Sequence, residues 1–232
     1  MKDIDVKQLL GLLAVTAAII ACWNTPIVYP LQVLVVFFHE MSHGLAALLT
    51  GGEVLEITLA PEQGGSCLTQ GGNVFLILSA GYLGSLAWGG AILLLASRTK
   101  QDRFTAIGLG IILVTAGVLY VRPVLSFGFF FALGAGVAMV FVGAYLSTAV
   151  NDFVLKVVGL TSCLYAVLDI KDDILDRPGI KSDAWLLAEH TPGIPAFLWG
   201  ILWIAAAVLA SGAFLLRAVR KKDPFEALRR LR

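Results

Sequence analysis

Charge is scarce in this 232-residue sequence. Asp, Glu, Lys and Arg supply 14% of it, where a soluble domain carries about a quarter. The charges that exist cluster at the termini and in short connecting segments, leaving long uncharged stretches between them. That spacing suits a lipid solvent, which offers ions no solvation. A net charge of +1, with no basic patch interleaved with aromatics, gives no reason to expect nucleic acid as a partner. Cysteine is also scarce. Cys22, Cys67 and Cys163 are scattered and form no C-x-x-C pair, so they make no disulfide framework and read as apolar packing residues. No small-residue cleavage site follows the first apolar run, which ends instead in Trp23-Asn24-Thr25-Pro26. The run reads as a retained helix.

Hydrophobic runs are abundant. A helix needs about 20 apolar residues to cross the hydrocarbon core, and seven stretches approach that length: 9–23, 31–49, 73–97, 104–121, 127–150, 153–170 and 195–216. The sequence therefore predicts an all-α integral membrane protein of about seven transmembrane helices, folded as one domain over 1–232. Small residues in the third and fifth runs, among them Gly81, Gly84, Gly89, Gly136 and Gly143, let helices approach closely in lipid. One connection is not helical. Between Gly51-Gly52 and Gly71-Gly72 polar and apolar residues alternate around a Gly-rich turn, which predicts a short β-hairpin over 52–70. Segment 171–191 reads as a polar loop, and 217–232 as a basic tail.

The chemistry concentrates in His39-Glu40-Met41-Ser42-His43, an H-E-x-x-H pattern inside the run 31–49. On a helix, positions i and i+4 share a face, so both imidazoles can reach one metal, with Glu40 placed as general base. Two imidazoles and a carboxylate with one open position suit Zn2+. Three ionisable groups inside a lipid-embedded run are expensive without a partner, and this makes them functional candidates by default. A third ligand must come from elsewhere. Asp169, at the end of the run 153–170, is the first candidate, with Asp172 and Asp173 one turn further on. Parity favours it: in a seven-helix chain the second and sixth helices run the same way, and both motifs fall in their C-terminal halves. His190 lies in the polar loop and reads as a solvated side chain.

At these residues the chain resembles the site-2 proteases, the intramembrane zinc metalloproteases, and among them the small bacterial members without extra domains. Phe37-Phe38-His39-Glu40-Met41-Ser42-His43-Gly44, followed by Ala46-Ala47 and Gly51-Gly52, is similar to that family's F-x-H-E-x-x-H-x-x-x-A…G stretch. The resemblance implies that 53–69 is a membrane-associated hairpin. It also implies that Leu168-Asp169, within a second metal motif at 160–173, supplies the third zinc ligand. Two departures are visible. The family's L-D pair is followed by glycine, where this chain has Ile170 and Lys171. Its G-P-x-x-N type turn is replaced by Gly81-Tyr82-Leu83-Gly84-Ser85, without proline or asparagine.

The expected function is zinc-dependent hydrolysis of peptide bonds in membrane-embedded or membrane-adjacent protein or peptide substrates, within the lipid bilayer of a bacterial plasma membrane. The strand 54–59 is expected to hold an unwound substrate by backbone pairing. The alternative is a catalytically inactive metal-binding scaffold of the same fold, which would have no need of Glu40. A transporter would show paired broken helices in two repeated halves, and no repeat is evident. For orientation, the positive-inside rule puts the Arg98-Lys100-Arg103 loop and the basic tail in the cytoplasm, whereas the family resemblance puts the metal end there.

Overall fold

The computed structural model describes residues 4–173 and 181–221. Lys2, Asp3, Pro178-Gly179 and the tail residues Lys222, Arg229, Arg230 and Arg232 lie outside them. Ten elements follow one another: α1 (Val6–Ala21), α2 (Tyr29–Leu49), β1 (Glu53–Leu59), β2 (Gly65–Gln70), α3 (Val74–Arg98), α4 (Asp102–Tyr120), α5 (Phe127–Tyr145), α6 (Thr148–Lys171), α7 (Asp183–His190) and α8 (Ala196–Ala218). All seven expected apolar helices are present, and six of them, α2 to α6 and α8, are long and apolar enough to cross a membrane. α1 has only 16 residues. The protein is a multi-pass integral membrane protein with a hairpin directly after the helix that carries His39 and His43.

Two boundaries differ from the sequence reading. The fifth helix stops at Tyr145 and the sixth begins at Thr148, because Ser147 caps it by accepting the Val150 N–H at 3.4 Å. Helix starts of this kind favour a short hydroxyl side chain, which Ser147 supplies. The segment expected to be a polar loop contains α7, whose first turn is capped by Ser182 accepting the Trp185 N–H at 3.3 Å.

The core is built on α2, α3 and α6. Small residues set their spacing: a side chain at Gly89 would strike the Gly159 carbonyl at 2.8 Å, and the Ser162 hydroxyl donates to the Ser85 carbonyl at 2.6 Å. Pairs 85–162 and 89–159 make α3 and α6 antiparallel. The approach of Gly84 to Ser42 and of Trp88 to Phe38 makes α2 and α3 antiparallel. α2 and α6 therefore run the same way, as parity required. Phe37 and Phe38 are fully buried in this cluster. Gly136 and Gly143 of α5 pack against the backbone of α4.

β1 and β2 pair antiparallel, Glu53 with Gln70 through Leu59 with Gly65, with an irregularity between Val54 and Glu56. The hairpin lies along α2, and its tip is fixed by the Tyr29 hydroxyl donating to the Pro61 carbonyl at 2.8 Å. β1 has a second partner. Val121 bridges Ile57 in parallel, and the Arg122 N–H donates to the Ile57 carbonyl at 2.9 Å. Ile57 is thus paired on both edges. At the other end of the bundle Asp5 N–H donates to the Val219 carbonyl at 2.7 Å, and Arg98 donates to the Arg220 carbonyl. The first and last described segments therefore share one face with the α3–α4 turn. Only an even number of crossings achieves that, so the seven apolar helices do not make seven complete passes.

Candidate metal centre

His39 and His43 sit one turn apart on α2, with ring centroids 4.8 Å apart. Their Nε2 atoms converge on one oxygen: the Asp183 carboxylate Oδ2 lies 3.0 Å from Nε2 of His39 and 3.2 Å from Nε2 of His43. One donor atom from each of these three residues falls within 4.8 Å of the others. A tetrahedral zinc with bonds of about 2.0–2.1 Å has donor–donor edges of roughly 3.3 Å, so the two measured edges match that polyhedron. Of the ring atoms facing away, that of His43 is hydrogen-bonded and that of His39 is buried without a hydrogen-bond partner. His43 Nδ1 is 2.7 Å from the Ile77 carbonyl, which fixes the tautomer that presents Nε2 to a metal. His39 Nδ1 faces Asp169, whose Oδ2 is 3.6 Å away. Gly81 of α3 makes room for the pair. A Cβ there would collide with His39 Nε2 and lie 2.6 Å from His43 Nε2.

Asp183 arrives from α7, the element that the sequence reading treated as loop. Burial disfavours its charge, but His43 and His39 prevail and hold the carboxyl well below the usual carboxylate range. The helix that carries it is only eight residues long. It is seated by Ala184 and Leu187, both fully buried against Tyr82, Leu86 and Trp203, and by the Trp199 indole donating to Thr191 at 2.9 Å. Ser182-Asp183 in front of an apolar Ala-Trp-Leu-Leu run is a helix-start signature, and it was the one available signal for this residue.

The other candidates occupy different places. Asp169 stands behind His39, on the side of the ring away from the converging nitrogens. Asp173 accepts a hydrogen bond from the Tyr82 hydroxyl at 2.5 Å, and the Tyr82 ring meets His39 edge-on at 5.0 Å. Asp172 is exposed beside Lys171 at 3.6 Å. His190 ends α7, exposed, with Nδ1 2.9 Å from its own helix's Leu186 carbonyl. It is helical, not looped, and it does not line the cavity of the cluster.

Glu40 is buried at 6% exposure, yet it lines the same cavity of about 410 Å³ as the two histidines and Asp183. β2 closes the opposite wall through Gly65, Ser66, Cys67 and Thr69. The approach is tight, since a Cβ on Gly65 would stand 2.6 Å from Glu40 Oε1. Burial and the nearby Glu40 push the Cys67 thiol up to about 12, so it stays a neutral wall residue.

Buried imidazoles, a converging carboxylate and an adjacent glutamate inside an apolar helical bundle define a membrane protein with a metallohydrolase type of donor set. Residues 12–214 match the Peptidase M50B-like family. The chain belongs to that family, which is of the site-2 protease kind. No curated protein and no solved structure matches it.

Proposed function

We propose that this protein is an intramembrane zinc metalloprotease, with His39, His43 and Asp183 as the metal ligands and Glu40 as the general base. Convergence of two Nε2 atoms and one carboxylate oxygen beside a buried glutamate carries the reading. When bound, zinc would supply the Lewis acidity that activates water and polarises a scissile carbonyl. Glu40 accepts the proton of the attacking water and returns it to the leaving amine. Asp169 takes the supporting role of a carboxylate behind a metal-binding histidine, orienting His39 and raising its basicity. Ligation by Asp169 would require its carboxylate to leave the Nδ1 side of the ring.

A substrate must present an extended segment, because helical amides are locked in internal hydrogen bonds. The pairing edge expected at 54–59 is taken at Ile57 by Val121. β2 pairs only with β1 among the described residues and borders the cavity, so we assign substrate pairing to β2. The substrates are membrane-embedded or membrane-adjacent polypeptides, and the compartment is a bacterial plasma membrane.

The test uses the purified full chain in bilayers, with zinc analysis and cleavage of single-span peptides. Glu40→Gln should keep its zinc and lose turnover by about 10²–10⁴-fold, the usual contribution of general acid–base catalysis. Zinc-free wild-type protein prepared without chelator would overturn the assignment. Zinc-loaded wild type that cleaves none of the peptides, with Glu40→Gln indistinguishable from it, would make the protein a metal-binding scaffold.

A further inference from the structure

Tyr82 stands on α3 where α2, α6 and α7 meet it, and neither metal ligation nor proton transfer uses it. It is 1% exposed. Its ring is held on two sides. One edge meets His39, and the Trp203 ring lies 5.1 Å away, in the cluster that also seats Ala184 and Leu187 of α7. A ring packed that way needs no hydroxyl, and Phe would fill the same volume. The hydroxyl nevertheless has a definite partner, Asp173 Oδ2 at 2.5 Å, and bonds to a carboxylate are among the strong ones. This phenol also falls where the chain departs from its family's pattern, in Gly81-Tyr82-Leu83-Gly84-Ser85.

The bond acts one turn earlier on α6. The chain stays helical through Asp173, so Asp169 and Asp173, four positions apart, share a face. Asp169 Oδ2 lies 3.6 Å from His39 Nδ1, which is buried without a hydrogen-bond partner. A metal on Nε2 leaves the proton on Nδ1 and demands an acceptor there. Direct hydrogen bonds span about 2.7–3.2 Å. A side-chain adjustment of about half an ångström closes the gap, provided that the backbone of that turn stays where it is. We propose that Tyr82 is a positioning residue of the metal centre: by holding Asp173, its hydroxyl fixes the last turn of α6 so that Asp169 meets His39 Nδ1. The supporting role of Asp169 belongs to the proposed function, so the role of Tyr82 rests on that reading.

Chelator competition on the purified full chain, with wild type, Tyr82→Phe, Asp169→Asn and the double variant, tests it. Tyr82→Phe should weaken zinc by about tenfold, the lower end of the range for losing the supporting carboxylate itself. The double variant should be no weaker than Asp169→Asn alone, because residues acting through one interaction do not add. Nuclear magnetic resonance of zinc-loaded protein with isotope-labelled histidine supplies a readout that packing alone would not move. The His39 Nδ1 proton, deshielded by its carboxylate in wild type, should move upfield in Tyr82→Phe and in Asp169→Asn. That of His43, on the Ile77 carbonyl, should stay in place. Should Tyr82→Phe fail to fold, Asp173→Ala breaks the same bond from α6 and must reproduce both results. Wild-type zinc affinity with an unmoved His39 proton in a folded variant overturns the proposal, as does a double variant whose losses add. Zinc-free wild type would instead overturn the metal-centre reading, and the role of Tyr82 with it.

Discussion

The two helices that bring donors to the proposed metal centre could hardly be less alike. α2 has 21 residues, twelve of them buried, and holds His39 and His43 between α3 and the hairpin. α7 has eight residues, two of them buried. A helix that short is marginal by itself, so α7 owes its existence to docking on α3 and α8. The histidines are therefore preorganised whether or not a metal is present. The proposed third donor, Asp183, sits on an element whose seat and whose ligation would stabilise each other. Affinity for the metal should accordingly respond to changes in α7 that never touch a donor atom.

The largest effect separates the two carboxylates. Asp183→Ala should abolish zinc retention through purification, while Asp169→Asn should keep the metal and weaken it by about 10–100-fold, the usual cost of losing a supporting carboxylate. Zinc analysis and chelator competition read both. If Asp169→Asn comes out metal-free and Asp183→Ala comes out loaded, the ligand assignment is reversed, and with it the contrast between the helices.

Next is Gly81→Ala, which asks whether the rigid half of the site tolerates intrusion. The new methyl would meet both imidazole nitrogens, and the rings cannot retreat because His43 is tied to Ile77. Zinc should be lost from a protein that still folds. Gly108→Ala on α4, whose added Cβ meets nothing within 4 Å, is the matched control and should gain up to about 1 kcal/mol of stability from helix propensity. Equal zinc content in the two variants would break the argument that the Gly81 gap is what accommodates the pair.

How much of this was legible in advance follows the same divide. The α2 half was: H-E-x-x-H inside an apolar run fixes helix, face and chemistry together, and the hairpin announced itself through its glycines. Parity pointed to Asp169 as the third ligand, and its carboxylate lies 3.6 Å from His39 Nδ1. Asp183 was not legible for three physical reasons. It is 144 positions from His39, its helix is too short to show a period, and an acidic residue in a first turn is explained by the helix dipole alone. The second partner of β1 was hidden likewise, since Val121 looks like the last residue of an apolar helix. The break at 146–147 rests on Ser147-Thr148 alone, two small polar residues that a helix interior also tolerates.

The smallest expected effect is also the cleanest test of the difference between the helices. Ser182→Ala removes the cap of α7, and Ser147→Ala removes the equivalent cap of α6. Loss of such a cap costs about 0.5–2 kcal/mol wherever it occurs. In α6 that cost falls on 24 residues packed against α1, α2, α3 and α8, so it should lower the melting temperature slightly and leave zinc affinity unchanged. In α7 it falls on an element whose docking is coupled to ligation. Zinc affinity should then drop by roughly 2–30-fold, the same free energy expressed as binding. Identical zinc affinities for the two variants would mean that α7 is held as firmly as α6, with its seat on Leu187 and Trp203 sufficient without the metal.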